Sequence, residues 1–427
     1  MPPLEADLDK PWRRDLARYD RVSRLEPTRA TVVSSPVEAA TRRPLVVVDL
    51  AVGDRWPSGS LIAKVVREVA GSRRVEVVST FNELDRSGAT WRRVLAPHRP
   101  MLALLLAFRL AGGRVTAKAC RALSGERPIV QATEAVIANA EIRYAHFCHR
   151  SYLRHHWKAT RPDGAVRALR WSMHAVHARW EPVAYRRAKV IVAASRSLRA
   201  ELIGEYPDLE PKIRVIANPV DAAEYRMPQG FDRQSVRRSW GVLPSDVLVS
   251  FVALGHFERK GLPLLMEALR GADPRVHLLV VGGEQRHVES YRTRAAQLGV
   301  GDRVHLVGWQ SDVRPYLWAA DAFALPSAYE VWPLVVLQAA AAGRALLVSA
   351  VGGVAEIAHD GDTAVVVEHT LDSVTAGYAR MVALGEGGRR RLGERAAQAI
   401  AGYDIESFLR AWRELYSELD GAAVEVG

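Results

Sequence analysis

Residues 326–343, PSAYEVWPLVVLQAAAAG, carry the first decisive signal in this chain. They follow a short apolar run, Ala322–Leu325, open with two turn formers, Pro326 and Ser327, pass through Glu330 and then run apolar to Gly343. Proline lacks a backbone N–H and has a fixed φ, so Pro333 suits the first turn of a helix and little else nearby. Gly343 stands where a glycine ends a helix. The stretch reads as strand, loop and buried helix, with Glu330 in the loop at the carboxyl end of the strand. Open α/β sheets bind ligands there, and the helix N-terminus that follows favours phosphate. A carboxylate repels phosphate, so the partners that suit Glu330 are neutral hydroxyls such as those of a sugar. Glu330 as a plain helix cap, with the rest as core, fits the spacing equally well.

The same alternation extends outward. Strands are expected at Val247–Ala253, His277–Val281, Val304–Val307, Ala322–Leu325, Ala345–Val348 and Thr363–Val367. Helices are expected at 262–271, 287–298, 312–319, 333–342 and 353–359. This rhythm implies a parallel, doubly wound sheet with right-handed crossovers. The first of these strands ends in ALGHFERKG, residues 253–261, where Arg259 and Lys260 precede Gly261 and a helix. A diphosphate needs cations, and arginine offers a planar fork where lysine offers a compact point charge. Arg-Lys is also a common surface pair. Both side chains are expected on a polar loop, so removing them should change stability little. Gly282-Gly283 ends the second strand and lets a nucleotide lie close to the backbone. Trp309 ends the third, and VGGVAE, residues 351–356, follows the fifth. A tryptophan at a strand end is also a common core residue, and paired glycines also make tight turns.

Before residue 219 the pattern is looser. Residues 1–43 combine scattered charge with several prolines and read as an irregular leader. Strands are expected at Leu45–Leu50, Val75–Ser79, Ile129–Ala132, Tyr144–Cys148 and Val190–Ala194. Helices follow at 61–70, 165–187 and Ser195–Glu205, the last with Ser195 as N-cap. Gly59, in the loop PSGS, would let a ligand approach backbone amides at a helix start. Residues 146–157, HFCHRSYLRHHW, concentrate His146, His149, His155 and His156. Their spacing fits no standard zinc pattern and no carboxylate or cysteine pair completes a site, so no metal is expected. Asn218-Pro219 breaks regular structure, and an amphipathic helix is expected over 404–419.

A chain of 427 residues, 48% hydrophobic and 25% charged, is globular and long enough for two domains. Its two cysteines, Cys120 and Cys148, cannot build a disulfide framework, which suits a reducing cytoplasm. No signal peptide is visible, and the longest apolar run, MLALLLAF at 101–108, stops at Arg109, short of the roughly 18–20 residues a spanning helix needs. The net charge of +11 is uneven: residues 219–427 hold 21 basic and 26 acidic side chains, residues 1–218 hold 38 and 22. Without a nucleic-acid motif, an anionic membrane surface or an anionic acceptor fits this basic half better than nucleic acid does. A solvated arginine-rich surface accounts for it as well.

In order and spacing these stretches resemble the retaining nucleotide-sugar glycosyltransferases of the GT-B fold, family-4 type. PSAYEVWPLVVLQ resembles their E-x7-E region, implying that Glu330 holds the donor sugar. Gln338 stands at the second carboxylate, where an amide can bond a ribose diol without charge-assisted strength. FERKG resembles a compact form of the family's Arg/Lys loop, implying that Arg259 and Lys260 stabilise the departing diphosphate; His256 departs from the commoner arginine. The resemblance also places Gly282, Gly283 and Trp309 beside the nucleotide, and the N–H groups of Leu334 and Val335 at the phosphates. VGGVAE resembles the GG-x-x-E loop. His149, or alternatively His146, matches a histidine facing the donor sugar, Gly59 with Ser58 stands for a double glycine, and Asn218 with Asp221 matches the end of the first domain.

The fold implied is α/β: two Rossmann-like doubly wound parallel-sheet domains facing a cleft. Residues 44–218 would bind the acceptor, joined by the C-terminal helix 404–427, and residues 219–403 would bind the nucleotide sugar. The function implied is retaining transfer from a UDP- or GDP-sugar to a hydroxyl of a glycan, lipid-linked or small-molecule acceptor, in polysaccharide or glycolipid biosynthesis. No metal or other cofactor is implied, and the setting would be cytoplasmic, peripheral at the inner face of the membrane. A nucleotide-sugar epimerase of the same fold and a non-catalytic nucleotide-sugar binding protein remain as alternatives. Gln338 and the incomplete glycine loop suit the latter.

Overall fold

Leu45–Val48 (β1) is apolar and buried at every position, so it has no place except the centre of a sheet covered on both faces. The computed structural model describes residues 42–54, 56–84, 88–97, 101–123, 127–162, 164 and 166–421. Around β1 assemble β2 (Val75–Ser79), β3 (Thr90–Arg93), β4 (Ile129–Thr133), β5 (Ile142–Ala145), β6 (Val190–Ala193) and β7 (Ile213–Val215). The order across this seven-stranded sheet is β3-β2-β1-β4-β5-β6-β7. A second sheet of six strands contains β8 (Val247–Val252), β9 (Val276–Val281), β10 (Val304–Gly308), β11 (Ala322–Leu325), β12 (Ala345–Val348) and β13 (Val365–Val366), in the order β10-β9-β8-β11-β12-β13. Neighbours in both sheets run parallel. Each sheet reverses its winding beside its first strand, and the crevice at that switch point lies outside the carboxyl ends. The loops after β8 and β11 meet there.

The helices follow the expected rhythm. In the first half the long ones are α1 (Pro57–Val69), α2 (Met101–Ala122), α3 (Val166–Arg186) and α4 (Arg196–Glu205), with a short helix, His149–Ser151, directly after β5. Ser195 caps α4, its hydroxyl accepting from the Leu198 N–H at 3.0 Å. In the second half come α5 (Leu262–Ala268), α6 (Gln285–Gln297), α7 (Arg314–Ala319), α8 (Leu334–Ala341), α9 (Leu371–Ala383) and α10 (Gly385–Ala399). Helix α8 buries Val336, Leu337, Ala339 and Ala340. Full burial of Val336 and Leu337 stabilises by about 1.5–3 kcal/mol each. Gly343, at φ 69°, ends it as expected. The last helix, α11 (Ile405–Gly421), leaves the second sheet and packs Phe408, Trp412, Leu415, Tyr416 and Leu419 into the core around β1 and β5. Tyr416 donates to Gln131 of β4 at 2.5 Å. Arg43, at the entry to β1, donates its N–H to Asp420 at 3.1 Å and pairs with Glu141.

The differences from the sequence reading have local causes. The strand expected at Tyr144–Cys148 is Ile142–Ala145, because Arg143 sits inside it, wholly buried, donating to the carbonyls of Glu134, Ile137 and Ala138. Strand β3, TWRR, has no apolar run because it is an exposed edge. Residues 353–359 do not form a full helix but a 3-10 turn over Gly352–Glu356. Pro333 precedes helix α8 as its N-cap, with the first helical residue at Leu334. The apolar run 101–108 is the start of α2, which continues past Arg109 along the surface to Ala122. No helix among the described residues is long and apolar enough to cross a membrane. The leader expected at 1–43 lies outside the described residues except for 42 and 43, as do the last six positions of 404–427.

Candidate active site

Lys260 and Glu330 come from loops seventy residues apart and meet at 2.7 Å, Nζ to Oε1. The same carboxylate oxygen accepts from the Ser327 hydroxyl at 3.1 Å, and an Arg259 guanidinium nitrogen lies 3.6 Å away. Arg259 also donates to the Tyr329 carbonyl, while its own carbonyl accepts from the Ala328 N–H at 2.8 Å. These side chains are largely buried: 18% exposed for Arg259, 15% for Lys260 and 8% for Glu330. Burial alone would raise the Glu330 pKa, but Lys260 and Arg259 outweigh it and hold the carboxyl below its usual range. The site is therefore a buried, charged ion cluster. The expectation of a polar loop whose cations are dispensable for stability is corrected by this geometry, because removing them strands a carboxylate inside.

Glycine is required where backbones cross behind this cluster. Gly352, at φ 55°, passes so close to Glu330 that a Cβ would lie 1.7 Å from the Glu330 carbonyl oxygen. Gly282, at φ 110°, leaves only 1.9 Å between a Cβ and the Ala253 carbonyl oxygen, so its strand-end packing demands glycine with or without a nucleotide. Its neighbour Gly283 lies against the Phe257 ring. Trp309 stands at the end of β10 with 64% of its surface exposed, so it is not a core residue. Leu334 and Val335 form the half-buried first turn of α8, and Gln338, one turn on, is also half-buried. Gly59 lies in the first turn of α1, against the Ala51 carbonyl.

The opposite wall belongs to the first domain. His149 is buried, with Nε2 3.1 Å from Glu134 Oε2, Nδ1 2.8 Å from His174 Nδ1, and its ring stacked on His177 at 4.1 Å. Burial pushes His149 and His177 down to about 3, so both rings are neutral near pH 7. The structure thus gives both ring nitrogens of His149 partners within its own domain. The alternative, His146, is half-buried, with its Nε2 atom enclosed and unpartnered. Glu181 is also buried here, accepting from the His149 N–H at 2.7 Å and the Tyr206 hydroxyl at 2.9 Å. The two walls meet through Tyr329, whose ring contacts Phe147, Tyr152 and His156 and whose hydroxyl donates to Glu201 at 3.1 Å. Arg170 of α3 reaches His256, 3.2 Å away, in the loop that carries Arg259. Burial, then Arg259, lowers His256 to about 4, which leaves it an acceptor for Arg170.

Sequence reasoning missed several of these groups. Ser327 and Tyr329 flank Glu330 and were legible as neighbours only. His174 and His177, spaced i, i+3 on one face of α3, were the available signal for a histidine cluster. Glu134 gave none, and the absence of a carboxylate beside the histidines is corrected here: the turn after β4 brings Glu134 to His149 and His177. Glu356 of VGGVAE faces the first domain, accepting from the Arg196 N–H at 2.7 Å at the start of α4, and Ser197 donates to the Gly352 carbonyl at 2.9 Å.

Residues 247–384 match the family described as Glycosyl transferases group 1, and residues 126–224 match Glycosyltransferase Family 4. Over these two segments the chain is of the group 1 and family-4 glycosyltransferase type. Among curated relatives of this chain, the alpha-maltose-1-phosphate synthase of Mycolicibacterium smegmatis is 28% identical over 53% of this chain and 58% of its own length. A lipopolysaccharide core biosynthesis glycosyltransferase of Rhizobium meliloti is 31% identical over 40% of this chain and 50% of its own. The chain thus spans little more than half the length of the curated relatives it matches. Solved structures agree on the GT-B fold. WaaG, a glycosyltransferase involved in lipopolysaccharide biosynthesis, superposes with a TM-score of 0.70 at 16% identity, over 87% of this chain and 99% of its own. HepE of Anabaena, solved with UDP, gives 0.68 at 17%, over 88% and 100%.

Proposed function

We propose that this chain transfers a sugar from a nucleotide diphosphate sugar, UDP- or GDP-linked, to an acceptor hydroxyl with retention, in the synthesis of a polysaccharide, glycolipid or other glycan. The observation that carries this reading is the buried Glu330–Lys260–Arg259 cluster at the carboxyl ends of β8 and β11. Lys260 and Arg259 take the charge that develops on the diphosphate, the helix start at Leu334 and Val335 adds N–H groups, and no metal is needed at the phosphates. Loss of one such preorganised donor typically costs about 10²–10³ in kcat. Glu330, whose Oε1 holds both cations, keeps Oε2 for a sugar hydroxyl. Gln338 takes the ribose, and Gly282, Gly283 and Trp309 line the nucleotide. Because His149 is engaged on both ring nitrogens, its part is positioning: it orients the first-domain wall through His174.

An acceptor displayed on an anionic membrane suits the basic half. On α2 the outward face carries Leu106 and Leu110, 41% and 72% exposed, followed by the exposed Arg114, Lys118 and Arg121. Such a face combines shallow apolar insertion with attraction to anionic lipid.

The test is a screen of UDP- and GDP-sugars for nucleotide release, with the anomeric configuration of the product read by NMR. Transfer with retention by wild type and not by Glu330→Ala supports the reading. An altered sugar formed without acceptor would make the protein an epimerase. Binding without any turnover would make it a nucleotide-sugar binding protein.

A further inference from the structure

We propose that Glu134, His149 and His177 form a transition-metal site, suited to Zn²⁺, on the first-domain wall of the cleft. The three residues come from separate elements: the turn after β4, the short helix after β5 and the middle of α3. One ligating atom from each lies within 4.8 Å of the other two. Glu134 Oε2 is 3.1 Å from His149 Nε2 and 3.6 Å from His177 Nδ1. A tetrahedral ion with bonds of about 2.0–2.2 Å spaces its ligands about 3.3–3.6 Å apart, so Glu134 already stands near coordination spacing from each imidazole. The two imidazole planes are stacked 10° apart, so binding one ion requires the rings to tilt toward each other until both nitrogens face it.

Two further observations point to a ligand. His177 is 7% exposed, and its Nδ1 is buried without a hydrogen-bond partner. At 3.6 Å the Glu134 carboxylate is too far to supply one, and an ion would satisfy this unmet buried nitrogen. Glu134 is one of two non-glycine residues at positive φ among the described residues, at 46°. Left-handed backbone at such a residue is strained and persists only where the surroundings enforce it. Here Arg143 enforces it, donating from the core to the Glu134 and Ile137 carbonyls at 3.1 and 3.0 Å. The carboxylate is thus held in advance of any ion.

The donor set fits the chemistry. Two imidazoles and a carboxylate suit zinc and its neighbours in the first transition row, whereas magnesium and calcium prefer oxygen alone. With Nε2 on the metal, His149 keeps Nδ1–H to donate to His174 Nδ1, 2.8 Å away, the outer partner that fixes a ligating histidine's tautomer. Three protein ligands leave a fourth position for water or for an acceptor group. This site is distinct from the diphosphate cations and does not rest on the proposed transfer reaction.

The test uses the tag-free full chain, freed of metal with a chelator and titrated with Zn²⁺ against a chromophoric competitor, then with Co²⁺ read by visible absorption. One equivalent that survives gel filtration is expected, with the intense visible bands of low-coordinate cobalt. Glu134→Gln, close to isosteric, and His177→Ala should each weaken binding by more than about a hundredfold, beyond the range for loss of an outer partner. His155→Ala/His156→Ala, which removes the exposed His155 and the half-buried His156 nearby, should leave it intact. Absence of stoichiometric binding, binding indifferent to Glu134→Gln, or binding lost with His155 and His156 would each overturn the proposal.

Discussion

Replacing Lys260 by alanine should destabilise the second domain more than an exposed lysine ever does. Nζ lies 2.7 Å from Glu330 Oε1, with side chains 15% and 8% exposed. Truncating one partner of a buried pair costs about 3–5 kcal/mol, because the other charge is left behind. Ser327 at 3.1 Å and Arg259 at 3.6 Å still attend Glu330, which places Lys260→Ala near the lower end, about 3 kcal/mol. For a unit of 150–250 residues that is a fall of roughly 6–12 °C in Tm. Arg259→Ala/Lys260→Ala should fall further. Adding Glu330→Gln to Lys260→Ala removes the stranded charge and should recover most of the loss, a coupling of about 2 kcal/mol.

The pH dependence separates this from simple loss of packing. In the wild type the Glu330 pKa is depressed, so its contribution is complete above the ordinary carboxylate range and is lost as pH falls through the lower folded value. Burial is the largest influence on Glu330 and opposes its charge. Without Lys260 that influence gains ground, and the variant should recover stability relative to wild type on going from pH 8 to pH 5. Urea and thermal denaturation of the four members of the Lys260/Glu330 cycle at both pH values measure all of this. A Tm within 2 °C of wild type for Lys260→Ala, or strictly additive effects, would refute the buried-pair account, taking roughly 2–4 °C per kcal/mol as the scale.

Three other outcomes are expected. Gln338→Glu should be tolerated and should tighten nucleotide binding in calorimetry; a collapse of binding would place Gln338 away from the ribose or require its amide as a donor. Asp321 takes Arg237 at 2.7 Å, Arg233 at 3.0 Å and the Leu248 N–H at 2.8 Å. Asp321→Ala should therefore cost about 3–5 kcal/mol by denaturation, and a loss below about 1 kcal/mol would mean the arginines find other partners. Leu106→Glu/Leu110→Glu should lower co-sedimentation with anionic vesicles, and salt should lower that of wild type, since each cation contributes only about 1 kcal/mol. Equal recovery on neutral vesicles would leave the basic half as solubilising surface.

The second sheet was legible because its strands are short, mainly apolar runs, broken only by Ser250, His277 and His305, close to the pattern that burial on both faces dictates. Ala322–Leu325 and Ala345–Val348 were read to the residue. The first sheet hid where burial and polarity part company: Arg143 in the middle of β5, and the exposed edge β3. At the site, residue types and chain positions pointed to Arg259, Lys260 and Glu330, but not to their mutual neutralisation. Strand-end loops can be ordered from sequence, whereas a 2.7 Å contact between two of them depends on how neighbouring strands pair. The histidine wall was half visible. His149 drew notice by its crowded neighbours in sequence, while Glu134, held by a strained turn, carried no local sign.

Gly352 has a mechanical consequence. The chain passes between its two halves at 219–220 and again at 403–404, and these passages lie side by side, the Val220 N–H donating to the Tyr403 carbonyl at 2.8 Å. A swing of one half against the other pivots about that paired strap. Gly352 rides with the loop that Ser197 and, through Glu356, Arg196 grip from the far half, yet it has no clearance against the Glu330 backbone. Tension on that loop is therefore delivered straight to Glu330, so the width of the cleft and the seat of the carboxylate move as one linkage.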